Sequence, residues 1–221
     1  MYLKNSKIVA VKIGSSLLID NNMKIRTKWL TEFSKDVKNL VDQGKKVIII
    51  TSGAIALGCK KMNLKNSNLK LEKSQAVASV GQIELMNLFS QTFSKFKLNI
   101  SQILLTLDDT EERRRSINAK RTFENLFQLD YIPIVNENDT IATSEIKYGD
   151  NDRLASRVAQ ITNADTLILL SDVDGLFTQN PKIFITNSCY RIIFKKFDGI
   201  CSMNSIFSLF YIIKNIEIII L

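Results

Sequence analysis

Apolar residues are distributed along this chain in two patterns, as short continuous runs and at intervals of three or four residues. Short runs that are apolar at nearly every position and rich in β-branched residues predict buried strands. We place five such strands at residues 8–13, 47–50, 100–105, 131–135 and 166–170. Between them, apolar residues recur every three or four positions, which predicts helices at 27–43, from 54 onwards, and at 74–96, 110–129 and 151–162. This alternation predicts an α/β fold whose mostly parallel sheet is covered by helices on both faces.

Thr110 is predicted to cap the N-terminus of the helix at 110–129. Thr110 can accept a hydrogen bond from an amide of the first turn, which is the usual role of threonine at a helix N-terminus. The apolar spacing then predicts an inner face made of Ile117, Phe123, Leu126 and Phe127.

Polar residues follow directly on the carboxyl ends of four predicted strands. In chain order they are Lys12, Ser52 with Gly53, Asn136 to Asp139, and Ser171 with Asp172. In open α/β sheets, ligands bind outside the carboxyl ends of the strands. The four groups are therefore expected to meet at one edge of the sheet and to form a single site there.

The longest polar stretch, residues 136–152, is predicted to be a loop between the fourth strand and the next helix. A solvated connection is the ordinary interpretation of such a stretch. This one is longer than the usual connection of about 4 to 6 residues, which favours a binding loop. It also carries side chains that can hold an ammonium group, a metal ion or a lysine, namely Asn138, Asp139, Asp150, Asn151 and Asp152.

The composition narrows the possible chemistry. The 221 residues suffice for one α/β domain with a sizeable core, and 45% hydrophobic with 24% charged residues is ordinary for a globular protein. The chain contains no histidine, which excludes Ser-His-Asp and Cys-His hydrolases, histidine general bases and histidine metal sites. Any chemistry is left to lysine, carboxylates and backbone amides.

Charge and cysteine usage indicate the cellular setting. The net charge of +8 is not gathered into a basic run interleaved with aromatic residues, and Arg113 to Arg115 follow acidic residues directly, as in a salt-bridged helix start. The three cysteines have no ligand spacing, and the N-terminus has no signal-peptide pattern. We therefore expect a cytoplasmic protein with no nucleic-acid partner and no structural zinc.

Two of the strand ends carry groups that suit an anion. Lys12, which alone would be an ordinary solvated lysine, lies beside Gly14, where backbone amides can approach a phosphate that the ammonium group neutralises. Ser52 and Gly53 begin a strand-to-helix turn that can cradle an anion, although a tight turn that only packs the helix explains them equally well. The sequence lacks the Walker spacing and has no Gly-x-Gly-x-x-Gly after the first strand, which disfavours P-loop and dinucleotide-binding enzymes.

A lysine, amides and carboxylates without histidine suit phosphoryl transfer, which depends on positioning and charge neutralisation more than on proton transfer. A carboxylate acceptor has a reference pKa of about 4 and is already ionised at neutral pH. Such a reaction needs no general base. The acidic residues within 136–152 would then bind an amino group and orient lysines.

Six stretches in order carry a family resemblance: AVKIGSSL at 10–17, ITSGAIALG at 50–58, SVGQ at 79–82, VNEND at 135–139, IKYGDND at 146–152 and LSDVDGL at 170–176. Together they resemble the glutamate 5-kinases of the amino acid kinase family. The ITSGAIA and GDND segments favour that branch over aspartate, acetylglutamate and uridylate kinases. The resemblance implies a three-layer αβα sandwich and an enzyme that phosphorylates the side-chain carboxylate of L-glutamate with ATP, the first step of proline biosynthesis.

The resemblance also implies roles for individual residues. Lys12 and Asp152 would be catalytic, Lys12 at the ATP phosphates and Asp152 as the carboxylate that holds the catalytic lysine. The implied glutamate-binding residues are Ser52, Gly53, Asp139 and Asn151, and the implied ATP-binding residues are Lys12, Gly14, Ser171 and Asp172. Mg²⁺ would arrive with ATP, and no protein ligand is assigned to it. Proline as a feedback inhibitor and a homo-oligomeric assembly are implied as well.

The resemblance ends at about residue 182. The family continues with a glycine-rich segment and a second catalytic lysine, whereas residues 183–221 are rich in Ile, Phe, Asn, Lys and Ser. We expect an amino acid kinase domain at 1–182, holding the glutamate-binding part, and a divergent apolar tail at 183–221 that arose by truncation or frameshift. The uncharged stretch 199–213 is shorter than the roughly 20 residues that span a bilayer, so no membrane anchor is expected.

Three functions stay open at this level. The first is glutamate 5-kinase activity, reduced on the order of 10²-fold if a preorganised donor such as the second lysine is missing. The second is a catalytically impaired chain that binds glutamate or proline without turning over ATP. The third is another member of the amino acid kinase family, acting on a different carboxylate or phosphate.

Overall fold

Five parallel strands form the part of the sheet that positions the polar strand ends. They are β1 (Ile8–Ile13), β2 (Lys46–Ile50), β3 (Asn99–Leu105), β4 (Tyr131–Glu137) and β5 (Thr166–Leu170). The computed structural model describes residues 2–20, 23–64, 69–142 and 150–170, and the backbone of β6 (Leu176–Phe177), β7 (Cys189–Tyr190), β8 (Ile193–Phe194) and β9 (Glu217–Ile220). All five predicted strands are present, β1 and β5 at the predicted bounds and the others longer by one or two residues.

The strand order β3-β4-β2-β1-β5-β9-β8 puts β1 and β2 in the middle of the sheet. Each neighbouring pair from β3 to β9 is parallel, whereas β8 runs antiparallel to β9. The strands β6 and β7 form a separate antiparallel pair. The predicted α/β fold with a mostly parallel sheet is therefore confirmed, and β9 covers the edge of β5.

Seven helices accompany these strands in the described part of the chain. They are α1 (Ser15–Leu18), α2 (Thr27–Asp42), α3 (Ala54–Lys61), α4 (Leu71–Phe93), α5 (Leu107–Glu111), α6 (Arg113–Gln128) and α7 (Asp150–Ile161). Over the same ranges, no helix combines the length and the apolar character needed to cross a bilayer.

Alternate residues of the central strands face opposite helical layers. Val9 and Val11 of β1 pack in one core with α2, α3 and α4, whereas Ala10 and Ile48 pack in a second core with α6 and α7. Successive side chains of a strand point to opposite faces, so a strand that is apolar at every position needs a helical layer on each side. The result is the three-layer αβα sandwich that the family resemblance implied.

Helices α3 and α4 touch through their backbones. A Cβ atom on Gly81 would lie 1.7 Å from the Ala54 carbonyl oxygen, and a Cβ atom on Gly58 would lie 2.0 Å from that of Val77. Real Cβ atoms do not approach so closely, so both positions need glycine. This packing holds the start of α3, and with it the turn after β2, against α4.

The helix predicted at 110–129 is two helices, and Thr110 caps neither of them. Thr106 caps α5: its hydroxyl accepts from the Asp109 amide at 3.2 Å, while the Asp109 carboxylate accepts from the Thr106 amide at 2.8 Å. Thr110 is buried, and its hydroxyl donates to the Leu107 carbonyl one turn earlier. The prediction was wrong because the reciprocal cap starts the helix four residues earlier.

The inner face of α6 keeps only Phe123 and Phe127 of the four predicted residues, since Leu126 is half-buried and Ile117 is exposed. Glu112 ends α5 and caps α6, since its carboxylate accepts from two amides of the first turn of α6. With the helix fixed at that start, its buried residues are Ala119, Phe123 and Phe127. Ile117, predicted to face the core, is 42% exposed, because it lies on the other side of the helix from Ala119.

The stretch 136–152 is not one loop. Asn136 and Glu137 belong to β4 and pair with Leu104 and Leu105 of β3. Residues 150–152 form the first turn of α7, and residues 143–149 lie outside the described part of the chain. The loop prediction was wrong at both ends because polar residues continue the strand and begin the helix, where tertiary pairing overrides their weak β propensity.

Candidate active site

Lys12 faces the α7 layer because it lies two residues after Ala10 on β1, and alternate residues of a strand share a face. On that side, the first turn of α7 presents Asp152. The Lys12 Nζ and Asp152 Oδ1 atoms are 2.5 Å apart, and the two side chains are 15% and 33% exposed. The N-terminus of a helix is the positive end of its dipole and favours a carboxylate. The ion pair thus fixes an ammonium group at the carboxyl edge of the sheet.

The turn after β2 brings Ser52 and Gly53 to the same edge. The Thr51 amide donates to the Val135 carbonyl at 2.9 Å, so the pairing of β2 with β4 continues up to the turn. Gly53 has a φ of 107°, a conformation that residues with a Cβ atom rarely adopt. The chain therefore needs glycine here to pass from β2 into α3. This backbone requirement explains Gly53 by itself, and its role towards a substrate stays a prediction.

Asn151 connects α7 to this turn. Its Nδ2 atom donates to Ser52 Oγ at 2.6 Å and to the Thr51 carbonyl at 3.0 Å. The same atom lies 3.4 Å from Asn136 Oδ1. The structure therefore brings together four predicted site residues from three separate parts of the chain: Lys12, Ser52, Asn151 and Asp152.

A row of side-chain amides runs from Asn151 towards α4. Asn136 donates through Nδ2 to Gln82 Oε1 at 2.8 Å. We call Asn151, Asn136 and Gln82 the amide chain. Its two end atoms, Asn151 Oδ1 and Gln82 Nε2, are buried and have no hydrogen-bond partner among the described residues. Buried polar atoms in native proteins are nearly always hydrogen-bonded, so each end marks a place for a ligand atom or a water molecule.

Gln82 also lines a cleft of about 350 Å³ between α4 and the ends of β3 and β4. We call it the α4 cleft, and its walls include Ser79, Gln82, Ile83, Leu104, Asn138 and Asp139. Burial raises the pKa of the Asp139 carboxyl from 3.8 to about 6. Burial removes water that would stabilise the charged carboxylate form, so a cation bound next to Asp139 would stabilise that form instead.

The turn that carries Asp139 is held by hydrogen bonds to β3 and to α4, and by one within the turn. The Asn138 amide donates to the Leu105 carbonyl at 3.0 Å, and the Thr140 hydroxyl donates to Asn138 Oδ1 at 2.7 Å. Gln75 of α4 donates to the Ala142 carbonyl at 3.0 Å. Asp139 consequently lies in the α4 cleft, whereas Lys12 and its partner lie on the α7 side of the same sheet edge.

Gly14 lies directly after β1, but its backbone amide is occupied. The Gly14 amide donates to the Leu170 carbonyl at 3.3 Å, which extends the pairing of β1 with β5. A Cβ atom on Gly14 would meet Leu170 and Ser16 only at ordinary contact distance, 3.6 and 3.7 Å. In this conformation the amide is not available to a phosphate, so the predicted ATP contact would use other atoms of the turn.

Two predicted ATP-binding residues, Ser171 and Asp172, lie outside the described residues. They follow Leu170, the last residue of β5, which is next to β1 in the sheet. Their role at the nucleotide stays a prediction.

Sequence reasoning gave Gln82 no role and placed Asn136 only among the polar residues at the end of the fourth strand, although both belong to stretches that carried the family resemblance, SVGQ and VNEND. The hydrogen bond between them joins residues 54 positions apart. A pattern read along one helix cannot reveal such a pair. The available signal was a glutamine directly after Gly81, the residue at which α4 comes close to α3.

The described residues contain no group of three or more carboxylate or thiol side chains that could hold a metal ion. The Asp152 carboxylate is engaged by Lys12. These residues therefore do not fit a protein-built Mg²⁺ site. What the arrangement does offer is one ammonium group, several neutral donors and a buried carboxyl, which together suit an anionic ligand that also carries a cationic group.

Comparison with known proteins agrees with this geometry. The profile of the amino acid kinase family matches residues 7–193. The chain is 75% identical over 184 residues to a glutamate 5-kinase of Pelagibacter ubique, with 83% of this chain and 50% of that protein covered. It is 52% identical over 179 residues to a glutamate 5-kinase of Bartonella henselae, with 81% and 47% covered. The chain thus spans about half the length of these curated relatives.

A solved structure supports the fold. The crystal structure of UMP kinase from Bacillus anthracis superposes with a TM-score of 0.55 at 18% sequence identity, covering 84% of this chain and 73% of that one. At so low an identity the likeness concerns the arrangement of strands and helices, and it carries no information about the substrate.

Proposed function

Because the chain belongs to the amino acid kinase family, we propose that it binds L-glutamate and ATP and phosphorylates the side-chain carboxylate of L-glutamate. The names of its relatives support this substrate. The observation that carries the proposal is the ion pair of Lys12 with Asp152 at 2.5 Å, directly beside Asn151 and its hydrogen bond to Ser52. The product, L-glutamyl 5-phosphate, would enter proline biosynthesis.

In this reaction a carboxylate oxygen of glutamate forms a bond to the γ-phosphorus of ATP. The bond from that phosphorus to the bridging oxygen breaks, and ADP leaves with its electron pair. The acceptor is already ionised at neutral pH, so no proton has to be removed, which agrees with a chain that has no histidine. Lys12 neutralises charge on the transferred group, and Asp152 keeps the ammonium group in position.

The remaining predicted residues divide between the two substrates. Ser52, Gly53 and Asn151 would hold glutamate near Lys12, and Asp139 would accept from its ammonium group. The ATP-binding role of Gly14, Ser171 and Asp172 is carried over from the family resemblance. Mg²⁺ would arrive with ATP, and no protein ligand is assigned to it.

The proposal is tested by ATP-dependent formation of glutamyl hydroxamate from L-glutamate and hydroxylamine with the full chain. Lys12→Ala should lower the rate on the order of 10²-fold or more, because a preorganised charge at the transferred group is lost. Lys95→Ala is a matched control, since Lys95 is an exposed lysine just before β3, at the opposite edge of the sheet. Equal rates for the two variants would contradict the proposal.

Calorimetry separates this function from the alternative of a binding protein. Glutamate binding without any hydroxamate would leave a chain that recognises the amino acid but does not transfer phosphate. A rate that responds to another carboxylate or phosphate compound and not to L-glutamate would identify a different amino acid kinase activity.

Three further properties are proposed, of which the first two rest on the family resemblance alone. Proline would compete with glutamate, which calorimetry with both ligands tests. The chain would form homo-oligomers, which light scattering tests. It would act in the cytoplasm, which agrees with three cysteines that lack a disulfide or ligand spacing.

A further inference from the structure

The direction of the amide chain is fixed at one end by a backbone carbonyl. The Thr51 carbonyl can only accept hydrogen bonds, so the Asn151 atom 3.0 Å away must be the amino group Nδ2 and not the oxygen. That same amino group also points towards Asn136 at 3.4 Å, so the Asn136 atom facing it is the acceptor Oδ1.

The next link follows from this orientation. With Oδ1 turned towards Asn151, the Nδ2 amino group of Asn136 faces Gln82, and it donates to Gln82 Oε1 at 2.8 Å. Rotating the Gln82 amide by half a turn would set two amino groups against each other. The end of the chain at α4 is therefore an N–H donor, Gln82 Nε2, and this donor is buried without a partner among the described residues.

The missing partner of Gln82 Nε2 is an acceptor, and the α4 cleft, which Gln82 lines, is where a ligand would bring one. Gln82 and Asp139 both line this cleft, whose volume of about 350 Å³ is large enough for a small amino acid. One wall thus offers a donor and the other a carboxyl acceptor. An α-amino acid presents the complementary pair on one carbon atom, a carboxylate and an ammonium group.

We propose that Gln82 determines specificity for the α-carboxylate of the acceptor amino acid, to which its Nε2 atom donates, while Asp139 accepts from the α-ammonium group. This inference rests on the proposed function and extends it to a residue on α4. Hydrogen bonds link this recognition to Asn151, and Asn151 directly precedes Asp152 in the first turn of α7, so the cleft and the ion pair are connected through that turn.

The deciding variant is Gln82→Glu, which keeps the shape and an oxygen that can accept from Asn136 but replaces the donor by a second acceptor. Its affinity for L-glutamate should fall about tenfold or more, because a hydrogen bond to a charged group is lost and two carboxylates are set together. Isoglutamine, in which the α-carboxylate is an amide, can instead donate to the introduced carboxylate. The ratio of the affinities for L-glutamate and isoglutamine should therefore fall at least tenfold.

A matched control carries the same change of charge in the same cleft. Gln102 of β3 also lines the cleft but is exposed. Gln102→Glu should alter the ratio about twofold or less, because solvent screens its charge. Gln82→Met, which removes the donor without adding charge, should weaken L-glutamate binding more than isoglutamine binding, and it serves as the test if Gln82→Glu lowers the melting temperature strongly.

Calorimetry with the full chain distinguishes the two proposals. If the unmodified chain binds no L-glutamate, the proposed function fails and this inference fails with it. If the unmodified chain binds L-glutamate and the Gln82 variants keep the same ratio of affinities, or lose both ligands equally, the assignment of Gln82 alone is overturned.

Discussion

The two helical layers bring side chains to the same sheet edge in different ways. On one face, α3 and α4 meet backbone to backbone through Gly58 and Gly81, and this layer supplies neutral groups such as Gln82. On the other face, the first turn of α7 is attached through polar contacts: Asp152 pairs with Lys12, and Asn151 hydrogen-bonds to the turn after β2.

This difference separates stability from function. The position of α4 depends on close contact that admits no extra atom, so a small change there should affect the whole fold. The body of α7 packs in the second core through Leu154, Ala155, Val158 and Ala159, but the position of its first turn depends on partly exposed polar contacts. The ion pair among these contacts contributes little to stability, because removing its charges from water costs free energy. Changes in the α7 contacts should therefore alter turnover more than folding.

The largest effect is expected from Gly81→Ala. The new methyl group would overlap the Ala54 carbonyl, so α4 must move away from α3, at a cost on the order of 3 kcal/mol or more in the free energy of unfolding. Urea unfolding of the full chain measures this. Gly14→Ala is the control, since its Cβ atom finds ordinary contacts at 3.6 and 3.7 Å, and should change stability by about 1 kcal/mol or less. Similar losses for both variants would mean that the glycine contact does not hold the α4 layer.

The next effect concerns the α7 layer. Asp152→Asn removes the negative partner of Lys12, so turnover should fall on the order of 10²-fold while glutamate affinity, measured by calorimetry, changes much less. A matched pair exists at the opposite edge of the sheet, where Lys46 Nζ lies 3.0 Å from Asp130 Oδ1.

Asp130→Asn serves as the control for that experiment. The side chain of Asp130 is 84% exposed, and asparagine tolerates the positive φ at this position, so neither turnover nor stability should change noticeably. If the Asp152 and Asp130 variants behaved alike, the ion pair at Lys12 would be a surface contact with no role in phosphoryl transfer.

A smaller, pH-dependent effect belongs to the α4 side. Since the pKa of Asp139 is raised to about 6, its carboxylate is the minority form at pH 5 and the majority form at pH 7. An ammonium group binds the carboxylate form, so glutamate affinity should increase about tenfold from pH 5 to pH 7. Asp139→Asn should bind more weakly at pH 7 and lose this dependence. A pH-dependence that survived in the variant would assign the titration to another group.

The Asp139 carboxyl also makes the free energy of unfolding depend on pH, and this free energy falls as the pH rises, whereas the affinity for glutamate increases. The ordinary pKa of an aspartate carboxyl is 3.8, whereas that of Asp139 in the folded chain is about 6, so the folded state holds the proton more tightly than the unfolded state. This contribution to stability is present below about pH 4 and is lost as the pH rises towards 6. Urea unfolding of the Asp139→Asn variant should lack that loss, which separates a buried carboxyl from a merely acidic surface residue.

The sequence predicted β1, β2, β4 and β5 well because they are mostly apolar on both faces, a pattern that a central parallel strand needs. The edge strand β3 includes Ser101 and Gln102 and was recognised from its remaining apolar residues. The same apolar pattern explains why Lys12 could be placed at the edge, whereas its partner Asp152 was implied only by the family resemblance. The apolar pattern alone could not identify that partner, because it depends on which face Lys12 uses and on where the first turn of α7 lies relative to β1.

The helix starts at residues 27 and 54 were predicted correctly and that of α7 to within one residue, whereas the start of the helix predicted at 110–129 was wrong. Thr110 and Thr106 are both threonines before a helical stretch, and only Thr106 has an acidic residue three positions later that returns the hydrogen bond. Gln82 was overlooked for a related reason. Its significance lies in an unsatisfied N–H, and whether a donor has a partner depends on packing that no local pattern records.

The smallest predicted effect tests how the α7 layer is supported. Arg157 of α7 lies 2.6 Å from Glu111 of α5, the helix that Thr106 caps. Thr106→Ala should lower the free energy of unfolding by about 1 kcal/mol through the lost cap. The exposed Thr122 of α6 is the control, and Thr122→Ala should leave stability within about 0.5 kcal/mol, since alanine is the better helix former. If the Thr106 variant also lost turnover while the Thr122 variant did not, α5 would be shown to hold Asp152 in place from outside the site, and the two layers would differ less than their contacts suggest.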